Sequence, residues 1–322
     1  MSARQPLARC PVCGGSARKP WLAALGFELV RCAACGHRYS TELHAGEHLA
    51  REYYNESDAA LAERSVASLN ARFEEYAAIL SPRFPEPGRV LDIGCNAGEL
   101  LALFAARGWQ VAGVEISPGP AARARATLNA PIWEGPVEQV LPATERFDLV
   151  AMTHVLEHIP SPAGVLAQVR GALAPRGKLL LEVPNADDFL LRVWRGGYRP
   201  LCPGDHASFF DARSLTRLLK DHGFSVESIA SPIHARDIIY SSILSAIDTV
   251  RAVRARPNGD AAPAGVQAQL RYRGGLRRPL RRWLDATTAA LDPFARSACK
   301  RLETSVRGPV LIVLASPATR AS

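Results

Sequence analysis

Cys10-Pro-Val-Cys13 and Cys32-Ala-Ala-Cys35 place four thiols in two pairs, with two residues inside each pair and 18 between the pairs. That spacing predicts a tetrahedral zinc site with four thiolate ligands. Gly14 and Gly36 follow the pairs, where a knuckle turn needs them. His37 is adjacent but surplus to a four-ligand site. Cys95, Cys202 and Cys299 remain, an odd remainder that argues against a disulfide framework and for a reducing compartment.

A second chemistry-bearing stretch is Val90-Leu-Asp-Ile-Gly-Cys-Asn-Ala-Gly-Glu99. A strand runs into a turn with Gly94 and Gly98, then into a helix whose free N–H groups face a ligand. Glu115 ends the next strand, 23 residues after Asp92, where a carboxylate can accept hydrogen bonds from both hydroxyls of a ribose. A dinucleotide site is the rival and asks for G-x-G-x-x-G after the strand. Here the spacing is Gly94-x-x-x-Gly98, with Asp92 two residues before Gly94. That acid suits the cationic amino-acid end of S-adenosylmethionine and sits badly against a pyrophosphate.

The elements that must position these residues alternate. Strands are expected at Arg89–Ile93, Gln110–Glu115, around Ile132, Phe147–Met152, Lys178–Val183, Phe224–Ala230 and Val310–Ala315. Helices are expected at Glu99–Arg107, Pro118–Leu128, Pro162–Leu173 and after an Asp211 cap. Continuous apolar strands alternating with helices predict an open, mostly parallel sheet covered on both faces. Before it, Val66, Leu69, Phe73, Tyr76 and Leu80 recur at helical spacing over 60–80. Residues 184–210 form a long loop rich in Pro, Gly and aromatics, a length that usually carries function.

LDIGCNAG resembles the first motif of class I S-adenosylmethionine-dependent methyltransferases, and VAGVEIS resembles their second. The stretch Phe147-Asp-Leu-Val-Ala-Met-Thr-His-Val-Leu-Glu-His-Ile-Pro160 is similar to the fourth-strand motif of the branch holding ubiquinone-type and sugar methyltransferases. His206–Phe210 and the segment 214–224 resemble that branch's substrate loop and helix. A zinc ribbon in front also occurs in such sugar-directed enzymes. The similarity covers about residues 88–230 and the final strand. It implies an α/β fold: a Rossmann-like, seven-stranded methyltransferase sheet with a small N-terminal zinc ribbon. It also implies that Asp92, Gly94, Cys95, Asn96, Gly98, Glu115, Ile116, Val137, Thr153 and Val155 surround the cofactor. The family usually has glycine where this chain has Asn96.

The implied organisation is a ribbon over 1–40, a helical linker over 41–87 and the methyltransferase domain over 88–322. That domain carries a basic helical insertion at about 231–307. The implied reaction is methyl transfer to an oxygen or carbon nucleophile of a small acceptor, a nucleotide sugar or a glycan- or lipid-linked intermediate. Such a nucleophile loses a proton, so a base is needed. His206 with Asp205 is the first candidate and His154 the second. Glu157 and His158 read as turn-shaping residues. His44, His48, His222 and His234 read as surface residues. The zinc reads as structural, or as part of the acceptor-site wall.

Of the net charge of +8, residues 251–322 hold +10, from 13 Arg and 1 Lys against Asp260, Asp285, Asp292 and Glu303. A local basic surface suits an anionic partner. Leu276, Leu280, Trp283, Leu284 and Leu291 share a stripe beside Arg277, Arg278, Arg281 and Arg282. Such a helix packs on the sheet as a lid or lies on an anionic membrane surface. The alternatives in class are a tRNA or rRNA methyltransferase and a non-catalytic cofactor-binding adaptor. Against nucleic acid, the fourth strand lacks the Asn/Asp-Pro-Pro-aromatic turn used on base amines. Against an adaptor, the cofactor motifs are intact. No signal peptide or spanning segment is legible, so a cytoplasmic protein is expected, with any membrane contact peripheral.

Overall fold

The computed structural model describes residues 4–24, 26–44, 72–254 and 278–318. The first half of the 60–80 helix, with Val66 and Leu69, lies outside the described residues. So do His48, Leu276, Arg277 and the Pro/Gly-rich stretch 257–265. At the N-terminus stand β1 (Arg4–Pro6), β2 (Arg18–Ala24), β3 (Phe27–Cys32), β4 (Arg38–Ser40) and β5 (Glu42–His44). Helix α1 (72–80) follows.

The main body is built by β6 (Arg89–Ile93), α2 (Glu99–Ala105), β7 (Gln110–Glu115), α3 (Pro118–Leu128), β8 (Ile132–Glu134) and α4 (Val137–Val140). It continues with β9 (Phe147–Thr153), α5 (Pro162–Ala172), β10 (Leu173–Pro184), α6 (Phe189–Trp194), β11 (Ser208–Phe209), α7 (Ala212–Asp221) and β12 (Phe224–Ala230). Two long helices, α8 (Ala235–Arg254) and α9 (Arg278–Thr304), precede β13 (Val310–Pro317). No helix among the described residues is long and apolar enough to cross a membrane.

Seven strands form one sheet in the order β12-β13-β10-β9-β6-β7-β8. β8, β7, β6, β9 and β10 pair in parallel, while β13 runs antiparallel between β10 and β12. The expected seven-stranded α/β sheet is therefore present. Its strands read as unbroken apolar runs because both faces are covered. Leu179, Leu181, Leu311 and Val313 face the layer of α5 and α7, with Val165, Val169, Leu215 and Leu218. Leu180, Ile312 and Leu314, one residue out of step, face α1 and α2 with Phe73, Tyr76, Leu101 and Phe104. The strand period of two sorts each run onto two cores.

Parallel strands all end on one edge, so Asp92, Glu115 and Thr153 arrive there together. Asp211 caps α7, its carboxylate accepting from Ser214 N while Ser214 Oγ accepts from Asp211 N.

The cysteine knuckles do not stand apart from this body. β11, inside the long loop, adds as a fourth strand to the ribbon sheet, in the order β11-β4-β3-β2. Ser208 pairs with Tyr39 and Phe209 with Arg38. Ser40 N donates to Ala207 O (3.2 Å), Ser40 Oγ to His206 O (2.9 Å) and His44 N to Gly204 O (2.8 Å). Arg38 reaches Ala186 O at 3.1 Å and pairs with Asp187 and Asp211. Cys10, Val12, Cys32 and Tyr39 share an apolar cluster with Phe210 and Leu215. His44, expected at the surface, is buried, its ring edge-on to Phe27.

Gly204 makes this seam fit. Its φ is 93°, and a Cβ there would lie 2.5 Å from the Phe27 ring and 2.7 Å from the His44 ring. Gly204→Ala is expected to cost roughly 1–3 kcal/mol, from strain plus overpacking. Amide exchange should rise together at 38–40 and 204–209. A variant as protected as the wild type at both strands contradicts this coupling.

Candidate cofactor and acceptor site

Asp92 closes β6 and is buried at 2% exposure. Its Oδ1 has no hydrogen-bond partner among the described residues. Burial, then Glu115, then Glu99 push its pKa well above the usual carboxylate range. A buried acid so placed is poised for a cation brought by a ligand. Beyond it the chain turns through Gly94 (φ 79°), Asn96 (φ 52°) and Gly98 (φ 86°), which caps α2. A Cβ on Gly94 would lie 2.4 Å from Val155 Cγ2, so the first turn and the turn after β9 pack directly together. Asn96 occupies the left-handed region, which asparagine tolerates better than most residues. That explains how the chain manages without the usual glycine.

Glu115, at the end of β7, does more than await a ribose. Its Oε2 accepts from Asn96 N at 2.9 Å and its Oε1 from Ser117 N at 2.8 Å. The carboxylate ties the glycine turn to the turn after β7, and lone pairs remain for further donors. Burial raises its pKa, and these N–H groups pull the other way. Ile116 stands exposed beside it, and Val137 is buried at the start of α4. Thr153 and Val155 are partly buried at the end of β9. Cys95 needs correction as a ligand-facing side chain. It belongs to the core, and its Sγ would lie only 2.5 Å from a Cβ on Gly113. Only its backbone can line the cradle.

His154, with φ 56°, is clamped between two buried acids. Nδ1–H donates to Glu157 Oε1 (3.2 Å) and Nε2–H to Glu182 Oε1 (3.1 Å). Burial disfavours the charged ring, but the bonds to Glu157 and Glu182 outweigh it and raise the pKa to about 10. The two acids favour the cationic form of this half-exposed ring, which works against a role as the base. Glu182 also accepts from Tyr76 Oη (2.7 Å) and pairs with Arg72 (3.5 Å), and its pKa falls to about 2 against the burial. Sequence reasoning missed Glu182, Arg72 and Tyr76. The available signal was an acid inside the apolar run Leu179-Leu-Leu-Glu-Val183.

His206 is buried at 5% exposure, and burial, helped by the neighbouring His158, pushes its pKa down to about 3. The ring is neutral at ordinary pH. It stands edge-on to His158, ring centres 4.7 Å apart. Ligand atoms of Glu157, His158 and His206 all lie within 4.8 Å of one another. Glu157 is an acid whose charge raises the His206 pKa against the burial. Asp205 enters this group through its backbone, where His158 Nδ1–H donates to its carbonyl at 3.0 Å. The structure brings His206, His158 and Glu157 together, with His154 bonded to Glu157, and so adds Glu157 to the Asp205–His206 pair as a neighbouring acid.

In the ribbon, Sγ atoms of Cys10 and Cys35 are 3.5 Å apart, as are those of Cys13 and Cys32. All four lie within 4.8 Å of one another. A tetrahedral zinc with Zn–S bonds of about 2.3 Å sets its sulfurs about 3.8 Å apart, so the donor set fits. His37 is fully buried beside Phe210 and Tyr39, not a surface ligand.

Residues 66–229 match the family model described as a methyltransferase domain. The chain belongs to that methyltransferase family. It is a member of the class I, S-adenosylmethionine-dependent group. Similar curated proteins include the ubiquinone biosynthesis O-methyltransferases of Stutzerimonas stutzeri and Aeromonas salmonicida. The first is 33% identical over 103 residues, 30% of this chain and 44% of the relative. The second is 29% identical over 163 residues, 46% of this chain and 67% of the relative. A solved SAM-dependent methyltransferase from Archaeoglobus fulgidus is similar at a TM-score of 0.48 and 17% identity, over 79% of this chain and 97% of that one.

For this methyltransferase, nitrogen-15 NMR of the imidazoles is expected to show His154 protonated and His206 neutral across the range where free histidine titrates, around pH 6.5. His154 losing its proton near that pH would contradict the two-acid clamp.

Proposed function

We propose that the chain transfers a methyl group from S-adenosylmethionine to an oxygen or carbon nucleophile of a small acceptor. The observation that carries this is the cradle of Asp92, Gly94, Gly98 and Glu115 at the carboxyl edge of the sheet, with Asp92 holding a buried oxygen open. In this reading Asp92 pairs with the cationic amino-acid end and Glu115 accepts from the ribose. Val155 and Thr153 close the cradle from the β9 side. The cofactor supplies an electrophilic methyl group on a sulfonium centre.

The acceptor lies against the loop that carries His206. The two acids on His154 work against its taking the acceptor's proton, whereas the neutral His206 can take it. In this reading acceptor binding raises the His206 pKa back towards the working pH, and the proton comes from a nucleophile that turns acidic as the methyl arrives, such as a phenol, a sugar hydroxyl or an activated carbon. A nucleotide sugar or a glycan- or lipid-linked intermediate supplies such an atom. The relatives named as O-methyltransferases favour oxygen. The four cysteines hold one structural zinc, and the ribbon it braces forms a wall beside the loop.

Calorimetry checks the cofactor assignment without any acceptor. Glu115→Ala is expected to bind S-adenosylmethionine at least ~10-fold more weakly, a loss of about 1.5–3 kcal/mol for a charged hydrogen bond. Unchanged affinity removes the assignment. His206→Ala should keep cofactor affinity and lose roughly 10²-fold in release of the demethylated product with a screened acceptor. Full turnover would leave His206 a structural residue. Metal analysis should find one zinc per chain, lost in Cys32→Ser; a metal-free, folded wild type refutes the zinc site.

A further inference from the structure

Five large apolar side chains stand exposed among the described residues: Ile116, Val193, Ile243, Leu291 and Phe294. Two of these are three residues apart on α9, a single helix of 27 residues, about 40 Å long. Phe294 is 74% exposed and Leu291 42%. Leu291, Phe294, Ala298 and Arg301 recur at three- and four-residue steps, with Ala290 four residues before Phe294, so they form one outward strip, and each is exposed.

Charge separates cleanly across this helix. Its two acids with described side chains are used inward. Asp292 accepts from Ala235 N (2.7 Å) and pairs with His234 (3.1 Å). Glu303 accepts from Ile233 N at 2.9 Å. Arg296 turns to Glu75 at 3.0 Å. Arg301 stays exposed on the strip itself, and Lys300 is exposed on the flank of the helix. The outward side thus offers apolar groups and cations, within a segment of net charge +10.

We infer that the outer face of α9 docks on an anionic lipid surface, with Phe294 and Leu291 entering the headgroup boundary and Arg301 lying on the phosphates. Among the described side chains the strip carries one aromatic ring with small residues and a cation, whereas a protein interface concentrates several aromatic anchors in one packed patch. The strip suits a helix lying in a membrane plane, held by apolar insertion plus attraction to anionic lipid. Helix α8 packs against α9 and also against α6 and the 195–201 turns that flank the acceptor loop. The inference is independent of the chemistry proposed above.

Flotation of the full-length protein with phosphatidylcholine vesicles, with and without phosphatidylglycerol, tests it. The protein should float with the anionic vesicles, stay behind with the neutral ones, and be released by roughly 1 M salt, where the Debye length is about 3 Å. Phe294→Ser and Leu291→Ser should each lower partitioning, Phe294→Ser by about tenfold, and Arg301→Glu should reverse the preference for anionic lipid. Thermal melting should stay at the wild-type value, since these side chains already face water. Equal recovery from both vesicle types overturns the proposal, as does a Phe294→Ser protein that floats like the wild type. A wild type that is dimeric in solution and made monomeric by Phe294→Ser assigns the face to a second copy instead.

Discussion

Everything at the working edge of this sheet is arranged around acids that water does not reach. Asp92 ends β6 with a buried, unpartnered oxygen. An ionised carboxylate in such a place is costly unless a cation joins it. Around it the fold uses its other buried acids differently. Glu115 is satisfied by two backbone N–H groups and so shapes the cradle. Glu157 through Oε1 and Glu182 through Oε1 bond to His154, and Glu182 also meets Arg72 and Tyr76. Alternating charge through Arg72, Glu182, His154 and Glu157 fixes the turn after β9, and Val155 of that turn packs on Gly94. Of the two acids of the cradle, Asp92 is the one whose buried oxygen has no partner among the described residues and is open to a ligand.

The second constraint is the seam between ribbon and loop. A loop as long as 184–210 does not hold a histidine in place by itself. Here β11 is drawn into the ribbon sheet, and Ser40 holds the backbone on either side of the 206–207 peptide. A zinc bound to Cys10, Cys13, Cys32 and Cys35 would stiffen the sheet that grips the loop, linking metal content to acceptor geometry without touching the acceptor.

Much of this was legible in the sequence, and the reasons differ by element. The seven strands and their flanking helices follow from apolar runs punctuated by Gly, Pro and Asp, a local signal. Asp92, Gly94, Gly98 and Glu115 followed from their places in that alternation. What stayed hidden depends on contacts distant in the chain. Tyr76 meets Glu182 across 106 positions, and Ser40 meets His206 across 166. His154 passed for a base because no local rule shows that both its nitrogens face buried acids. Glu157 was not read as a neighbour of His206 because only the fold brings the two together. His44 and His234 looked solvent-facing, and each is held by tertiary neighbours.

The central claim is that Asp92 is kept buried for the cationic end of S-adenosylmethionine. Its pKa is raised by burial, Glu115 and Glu99 in the free protein. An arriving ammonium favours the ionised form and lowers that pKa, so cofactor binding must expel a proton wherever free Asp92 is protonated. Calorimetric titration with S-adenosylmethionine in two buffers of different ionisation enthalpy, repeated from about pH 5 to 8, reads that proton directly. The account predicts proton release that fades as pH rises in the wild type and is absent in Asp92→Asn, which binds more weakly. Binding with no proton release at any pH, or equal release and affinity in Asp92→Asn, would contradict it.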